Sequence, residues 1–114
     1  MYDYNTIKVE IFDEIAMVKF NRPKALNALN IEMSGELADN ELANDKNVRG
    51  IILTGEGRAF MAGADISEMK NWDTAGGREF ARFSNYAFSK VSDIDKPTIC
   101  AINGFALGGG LELS

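Results

Sequence analysis

Apolar and polar residues alternate near the start of the chain. Ile7, Val9 and Ile11 are separated by Lys8 and Glu10, a period of two that predicts a half-buried β-strand. Asp13-Glu14 turns the chain, and Ile15 to Phe20 reads as the hairpin partner, with Ala16, Val18 and Phe20 on one face. Asn21-Arg22-Pro23 ends that strand, because proline brings no N–H to a ladder. Asn30 is expected as the N-cap of a helix running from about Ile31 to Ala43. Met33 and Leu37 share a face of that helix, but the next apolar residue is Leu42, so the phase slips there. Val48 to Thr54 is expected to form a largely buried strand, ended by Gly55-Glu56-Gly57. A short helix from Ile66 to about Asn71 and a loop from Trp72 to Gly77 follow. From Arg78 to Val91, Phe80, Phe83, Ala87 and Val91 mark one face of an amphipathic helix. Asp95-Lys96-Pro97 breaks it, Thr98 to Ile102 reads as a buried strand, and a further helix begins near Gly109. A hairpin followed by alternating helices and strands implies an α/β fold with parallel strands and helical crossovers.

Composition narrows the chemistry chiefly by what is missing. The 114 residues, 46% of them hydrophobic, suit one soluble globular domain. There is no histidine, so this chain builds neither a Ser-His-Asp triad nor a His-ligated zinc. The single cysteine, Cys100, excludes an internal disulfide and a CxxC metal knuckle. A general base must come from Asp, Glu, Lys, Tyr or Cys100. A net charge of -5 argues against a nucleic-acid partner, although Arg22, Lys24 and Arg58 could form a local patch for a phosphorylated small molecule. No apolar run reaches the roughly 20 residues of a membrane span, and the polar, acidic N-terminus does not resemble a signal peptide. No membrane association and a cytoplasmic location are therefore expected.

Two glycine-bearing turns carry the candidate chemistry. One is Phe60-Met61-Ala62-Gly63-Ala64-Asp65-Ile66; the other runs from Asn103-Gly104 into Gly108-Gly109-Gly110-Leu111-Glu112. Backbone N–H groups point freely at a ligand in the first turn of a helix, and glycine lets that ligand come close. Gly109 and Ala64 are the candidate donors, each worth on the order of 3 kcal/mol toward a developing oxyanion. Glu112 falls one helical turn beyond Gly109, on the same side. Plainer readings stand beside these: glycines for tight packing, Glu112 as a first-turn acid, Asp65 as an N-cap, Cys100 as a small core residue, and Phe80, Phe83 and Phe88 as core or interface residues. Gly104 and Gly108 do not fit GxGxxG, and no GxxxxGK[ST] occurs, so dinucleotide and P-loop readings are weak.

Three stretches, in order, resemble one family. Asn21-Arg22-Pro23-Lys24-Ala25-Leu26-Asn27-Ala28-Leu29-Asn30 resembles the NRP-x-x-x-NAL opening of the enoyl-CoA hydratase/isomerase (crotonase) superfamily. Phe60 to Ile66 looks like its F-x-AGADI oxyanion turn, and Lys96-Pro97 through Leu113 looks like its KP…NG-x-ALGGG-x-EL segment. The resemblance implies a crotonase-like ββα superhelix, with residues 1–114 as the N-terminal part of a single domain, incomplete at the C-terminus. Substrates would be acyl thioesters of coenzyme A, with the thioester oxygen on the N–H groups of Ala64 and Gly109. Lys24, Ala25 and Leu26 with Ala62, Asp65 and Ile66 would line the nucleotide and pantetheine path, and Met69, Trp72 and Phe83 would shape the acyl tail. Glu112 matches the first of two glutamates that place and deprotonate water, the second falling beyond Ser114.

The implied reaction is syn hydration of a 2-enoyl thioester, most like a short-chain 3-hydroxyacyl-CoA dehydratase, without metal or redox cofactor. Coenzyme A is then part of the substrate. The family forms trimers or dimers of trimers. Alternatives are a 3,2-enoyl-CoA isomerase or another enolate-forming relative, a non-catalytic acyl-CoA-binding module, and a compartmental protease, which the missing histidine disfavours. With half the acid/base pair absent, polypeptide 1–114 alone is expected to hydrate crotonyl-CoA weakly and to bind coenzyme A thioesters poorly. An ordinary enzymatic turnover by purified 1–114 would overturn that expectation.

Overall fold

The computed structural model describes residues 3–39, 41–63, 82 and 85–106. The predicted hairpin forms: β1 (Ile7–Phe12) pairs antiparallel with β2 (Ile15–Phe20), from Ile7 opposite Phe20 to Phe12 opposite Ile15. Asp13 and Glu14 both take positive φ, 47° and 73°, which matches the right-handed twist of the strands they join. Ala16, Val18 and Phe20 are buried as the alternation predicts. On β1 the inward set is buried only at Ile7; Ile11, near the hairpin tip, remains 44% exposed.

A single 3-10 turn (Pro23–Ala25) then leads to α1 (Ile31–Leu37) and α2 (Glu41–Asn44). Asn30 is the N-cap of α1, its side chain accepting from the Met33 N–H at 2.8 Å. One continuous helix over Ile31–Ala43 is not what forms. Met33 and Leu37 lie one turn apart and both are buried, but Leu42 is five residues past Leu37, roughly 140° around a regular helix. The chain resolves the conflict by ending α1 at Leu37 and starting again, with the Asp39 carboxylate accepting from the Glu41 N–H. Leu42 then packs against the core. Lys96 closes α2 from across the fold, its ammonium donating to the Leu42 and Asp45 carbonyls at 2.5 and 2.8 Å.

Glu36 ties α1 to the hairpin. Its carboxylate accepts from the backbone N–H groups of Asn5 and Thr6 and from the Thr6 hydroxyl. Beyond the helices, β3 (Gly50–Gly55) lies parallel to β2, and β5 (Thr98–Cys100) lies parallel to β3. The main sheet therefore has the order β1-β2-β3-β5, with helical crossovers joining its parallel strands. Residues 85–92 are helical and bury Ala87 and Val91 against this sheet. The expected helix over Ile66–Asn71, the loop Trp72–Gly77, Phe80, Phe83 and the helix start near Gly109 lie outside the described residues.

The strand expected from Thr98 to Ile102 is shorter and is not buried. Ile99 is 64% exposed and Ile102 52% exposed. Thr98 and Cys100 are on the helix-covered side of the sheet, while Ile99 falls opposite Ile52 on the other side. An apolar run of this kind does not distinguish a strand covered on two faces from one covered on a single face.

A second, two-stranded sheet was not anticipated. In it β4 (Ala59–Met61) lies parallel to β6 (Phe105–Ala106). All three residues of β4 are buried, and the Phe60 ring meets Phe20 edge-on, with centroids 5.1 Å apart and an interplanar angle of 74°. Phe60 thus joins the small sheet to the main core. Phe60→Ala is expected to cost about 3–5 kcal/mol in denaturant unfolding; a loss below about 1 kcal/mol would show that the two sheets do not share a core.

Candidate active site

The site is built where the 3-10 turn and the ends of β4 and β6 meet. Pro23 starts the turn, its fixed φ suiting a first helical position, and Leu26 and Asn27 then take left-handed conformations, φ 52° and 56°. Asparagine tolerates that region better than leucine, whose strain of roughly 1 kcal/mol must be offset by surrounding contacts. The Leu26 carbonyl accepts from the Ala62 N–H at 3.2 Å, and the Leu29 N–H donates to the Gly63 carbonyl at 2.6 Å. These two bonds lay the segment Lys24–Leu29 along the turn that follows β4. Gly63 has φ 97°, a conformation that a side chain would strain.

Asn27 is the fixed point of this arrangement. Its side chain is fully buried and every polar atom of its carboxamide is engaged. Oδ1 accepts from the Arg22 N–H at 2.8 Å, and Nδ2 donates to the carbonyls of Glu56 at 3.0 Å and Ala59 at 2.8 Å. Asn103 reaches the same Ala59 carbonyl from the β6 side, at 3.2 Å, and the Gly57 carbonyl at 3.0 Å. Its Oδ1 accepts from the Gly55 N–H at 3.0 Å. A Cβ on Gly55 would overlap the Ala59 carbonyl, and one on Gly104 would overlap that of Arg58. Glycine at both positions therefore permits the backbone contact that lets the two asparagines converge.

Of the residues expected to bind or react, the structure brings Leu26 and Ala62 together, with Ala25 half-buried beside them. Lys24 is exposed on the 3-10 turn, free of the core. Ala64, Asp65, Ile66, Gly109 and Glu112 lie outside the described residues, as do Met69 and Trp72. In the expected cationic patch, the Arg22 guanidinium donates to the Ala28 carbonyl and so serves the local fold, while Arg58 is exposed. Cys100 is half-buried against the core, and burial raises its thiol pKa above the ordinary value. Among the described residues, no three His, Cys, Asp or Glu side chains gather as metal ligands, and no helix is long and apolar enough to cross a membrane.

Asn27 and Asn103 are anchors of this region that no sequence period singles out. A signal for the first was present, since asparagine is the non-glycine residue best suited to a left-handed position just after a proline-started turn.

Residues 10–114 match the sequence pattern of the family described as Enoyl-CoA hydratase/isomerase. The chain belongs to that family. It is 46% identical to the short-chain-enoyl-CoA hydratase of Clostridium acetobutylicum over 98% of its own length, and 42% identical to the crotonyl-CoA hydratase of Syntrophomonas wolfei over 97%. In each case it spans 44% of the relative's length. The crystal structure of an enoyl-CoA hydratase from Bacillus anthracis superposes with a TM-score of 0.93 at 33% identity, covering 96% of this chain and 44% of that one. The fold is that of the crotonases, of which this chain forms the N-terminal part.

The asparagine at the centre of the family's opening motif gives a direct test. Asn27→Ala removes the partner of the Arg22 N–H and the Glu56 carbonyl, leaves the Ala59 carbonyl to Asn103 alone, and puts alanine in a left-handed conformation, so a loss of about 2–4 kcal/mol is expected. Urea unfolding measures it, and a loss under about 1 kcal/mol would mean that water replaces the carboxamide.

Proposed function

We propose that this chain forms the carbonyl-polarising part of an enoyl-CoA hydratase within a single crotonase-like domain. The observation that carries the reading is the parallel register of β4 and β6. Met61 is opposite Ala106, and in parallel strands both chains leave the sheet at the same edge. Ala64 and Gly109 each follow three residues after a member of that pair. Equal offsets from one register pair support two turns that begin side by side, as a shared oxyanion requires.

On this reading the thioester oxygen of a 2-enoyl-CoA accepts from the N–H groups of Ala64 and Gly109. Withdrawal of electron density makes C3 electrophilic. Glu112 takes a proton from water as the oxygen attacks C3, the electron pair moves through C2 onto the thioester oxygen, and the two N–H groups hold the enolate. Return of a proton to C2 completes a 3-hydroxyacyl-CoA. The chemistry uses no metal or redox cofactor, and coenzyme A enters as part of the substrate. Lys24, Ala25 and Leu26, stitched to Ala62 by the Leu26 carbonyl, are suited to flank the thioester arm. The names of the relatives favour short-chain hydration over isomerisation.

Two measurements on the whole crotonase-like domain, rather than on polypeptide 1–114 alone, test the proposal. Bound crotonyl-CoA should show a lowered thioester C=O stretching frequency by difference infrared spectroscopy, and an unshifted band would remove the two N–H donors. Glu112→Gln should reduce hydration by roughly 10²–10⁴-fold while leaving butyryl-CoA affinity nearly unchanged; equal turnover in the variant would remove Glu112 from the mechanism.

A further inference from the structure

The β6 strand has two residues, too few for its own ladder to fix where it lies along β4, and the register already shifts between Ala59 and Met61. Something outside the ladder must set that height. Asn103, two residues before β6, gathers four partners onto one carboxamide. Its Nδ2 donates to the Gly57 and Ala59 carbonyls at 3.0 and 3.2 Å, and its Oδ1 accepts from the Gly55 N–H at 3.0 Å and lies 3.4 Å from the Thr54 hydroxyl. All four belong to the end of β3, the turn that follows it and the first residue of β4. Asn103 is itself exposed, outside the hydrophobic core, so its contacts add no apolar burial. On its far side the Ala59 carbonyl is held by Asn27 at 2.8 Å, which uses both lone pairs of that oxygen and anchors it to the 3-10 turn.

We propose that Asn103 is a positioning residue for turnover. By clamping the approach to β6 against the turn before β4, it fixes the height at which the chain leaves β6 beside the end of β4, and with it where the donors of the proposed reaction start. The inference rests on the hydratase reading above. A small displacement of one donor weakens transition-state stabilisation far more than ground-state binding, because the oxyanion makes its strongest hydrogen bonds only as charge develops. Substitution should therefore act on kcat and on polarisation of the bound carbonyl, and little on affinity.

The test is made in the whole crotonase-like domain rather than in 1–114 alone, and compares the unchanged protein with Asn103→Ala and Asn103→Asp. The second keeps an acceptor for the Gly55 N–H and Thr54 hydroxyl but loses the donor to Ala59. Both should lower the hydration of crotonyl-CoA by about 10- to 100-fold, the scale of a misplaced catalytic group. Butyryl-CoA should bind within about threefold of its original affinity, since ground-state binding is largely retained. The C=O band of bound crotonyl-CoA should move back toward its free frequency. Variants that bind and polarise the thioester as the unchanged protein does would overturn the inference alone. Loss of cooperative folding in both variants would also overturn it, making the carboxamide purely structural. An unchanged protein that fails to shift the C=O band would sink the functional reading, and this inference with it.

Discussion

Parallel strands leave a sheet at the same edge, and that constraint organises the region around β4 and β6. Neither strand is long, so their pairing is imposed from outside. The Ala59 carbonyl is where this happens: one carboxamide from the motif after β2 and one from the segment after β5 donate to the same oxygen. Three stretches remote in sequence are thereby fixed to one atom. The backbone must pass close on both sides of residues 58–60, which explains the glycines at 55 and 104.

The main sheet supplies the rigid frame for that convergence. Ile7, Val18, Phe20, Ile51 and Leu53 form the sheet side of a core closed by Met33, Leu37, Ala87 and Val91. Polar contacts then fasten the helices at their ends, Glu36 onto the chain before β1 and Lys96 onto the end of α2. Lys96 and Asn103 bracket β5, so that strand is tied to the fold on both of its sides in sequence. Phe60, packed edge-on against Phe20, transmits this rigidity to β4.

Elements whose periodicity was simple were legible from the residues. The hairpin with its turn at Asp13-Glu14, the Asn30 cap and the buried β2 face all follow from local pattern and turn chemistry. The slip at Leu42 was also visible, but whether a helix bends, unwinds or breaks there depends on what the sheet beneath it demands, and here it breaks. Thr98 to Ile102 was misread as buried because an apolar run specifies that it is strand-like, not how many of its faces are covered. The β4–β6 pairing was invisible, since two- and three-residue strands carry no period at all.

By itself, the sequence determined the class of the fold and the family, because three motifs in fixed order constrain backbone conformations that few other residues satisfy. It also determined which chemistries were closed to the chain, since an absent histidine cannot be supplied by folding. Only the tertiary structure decided that Asn27 and Asn103 meet at one carbonyl, and that β4 and β6 end at one edge. These contacts join residues 32 to 46 positions apart, and such long-range closure is governed by packing of the whole core rather than by any local preference.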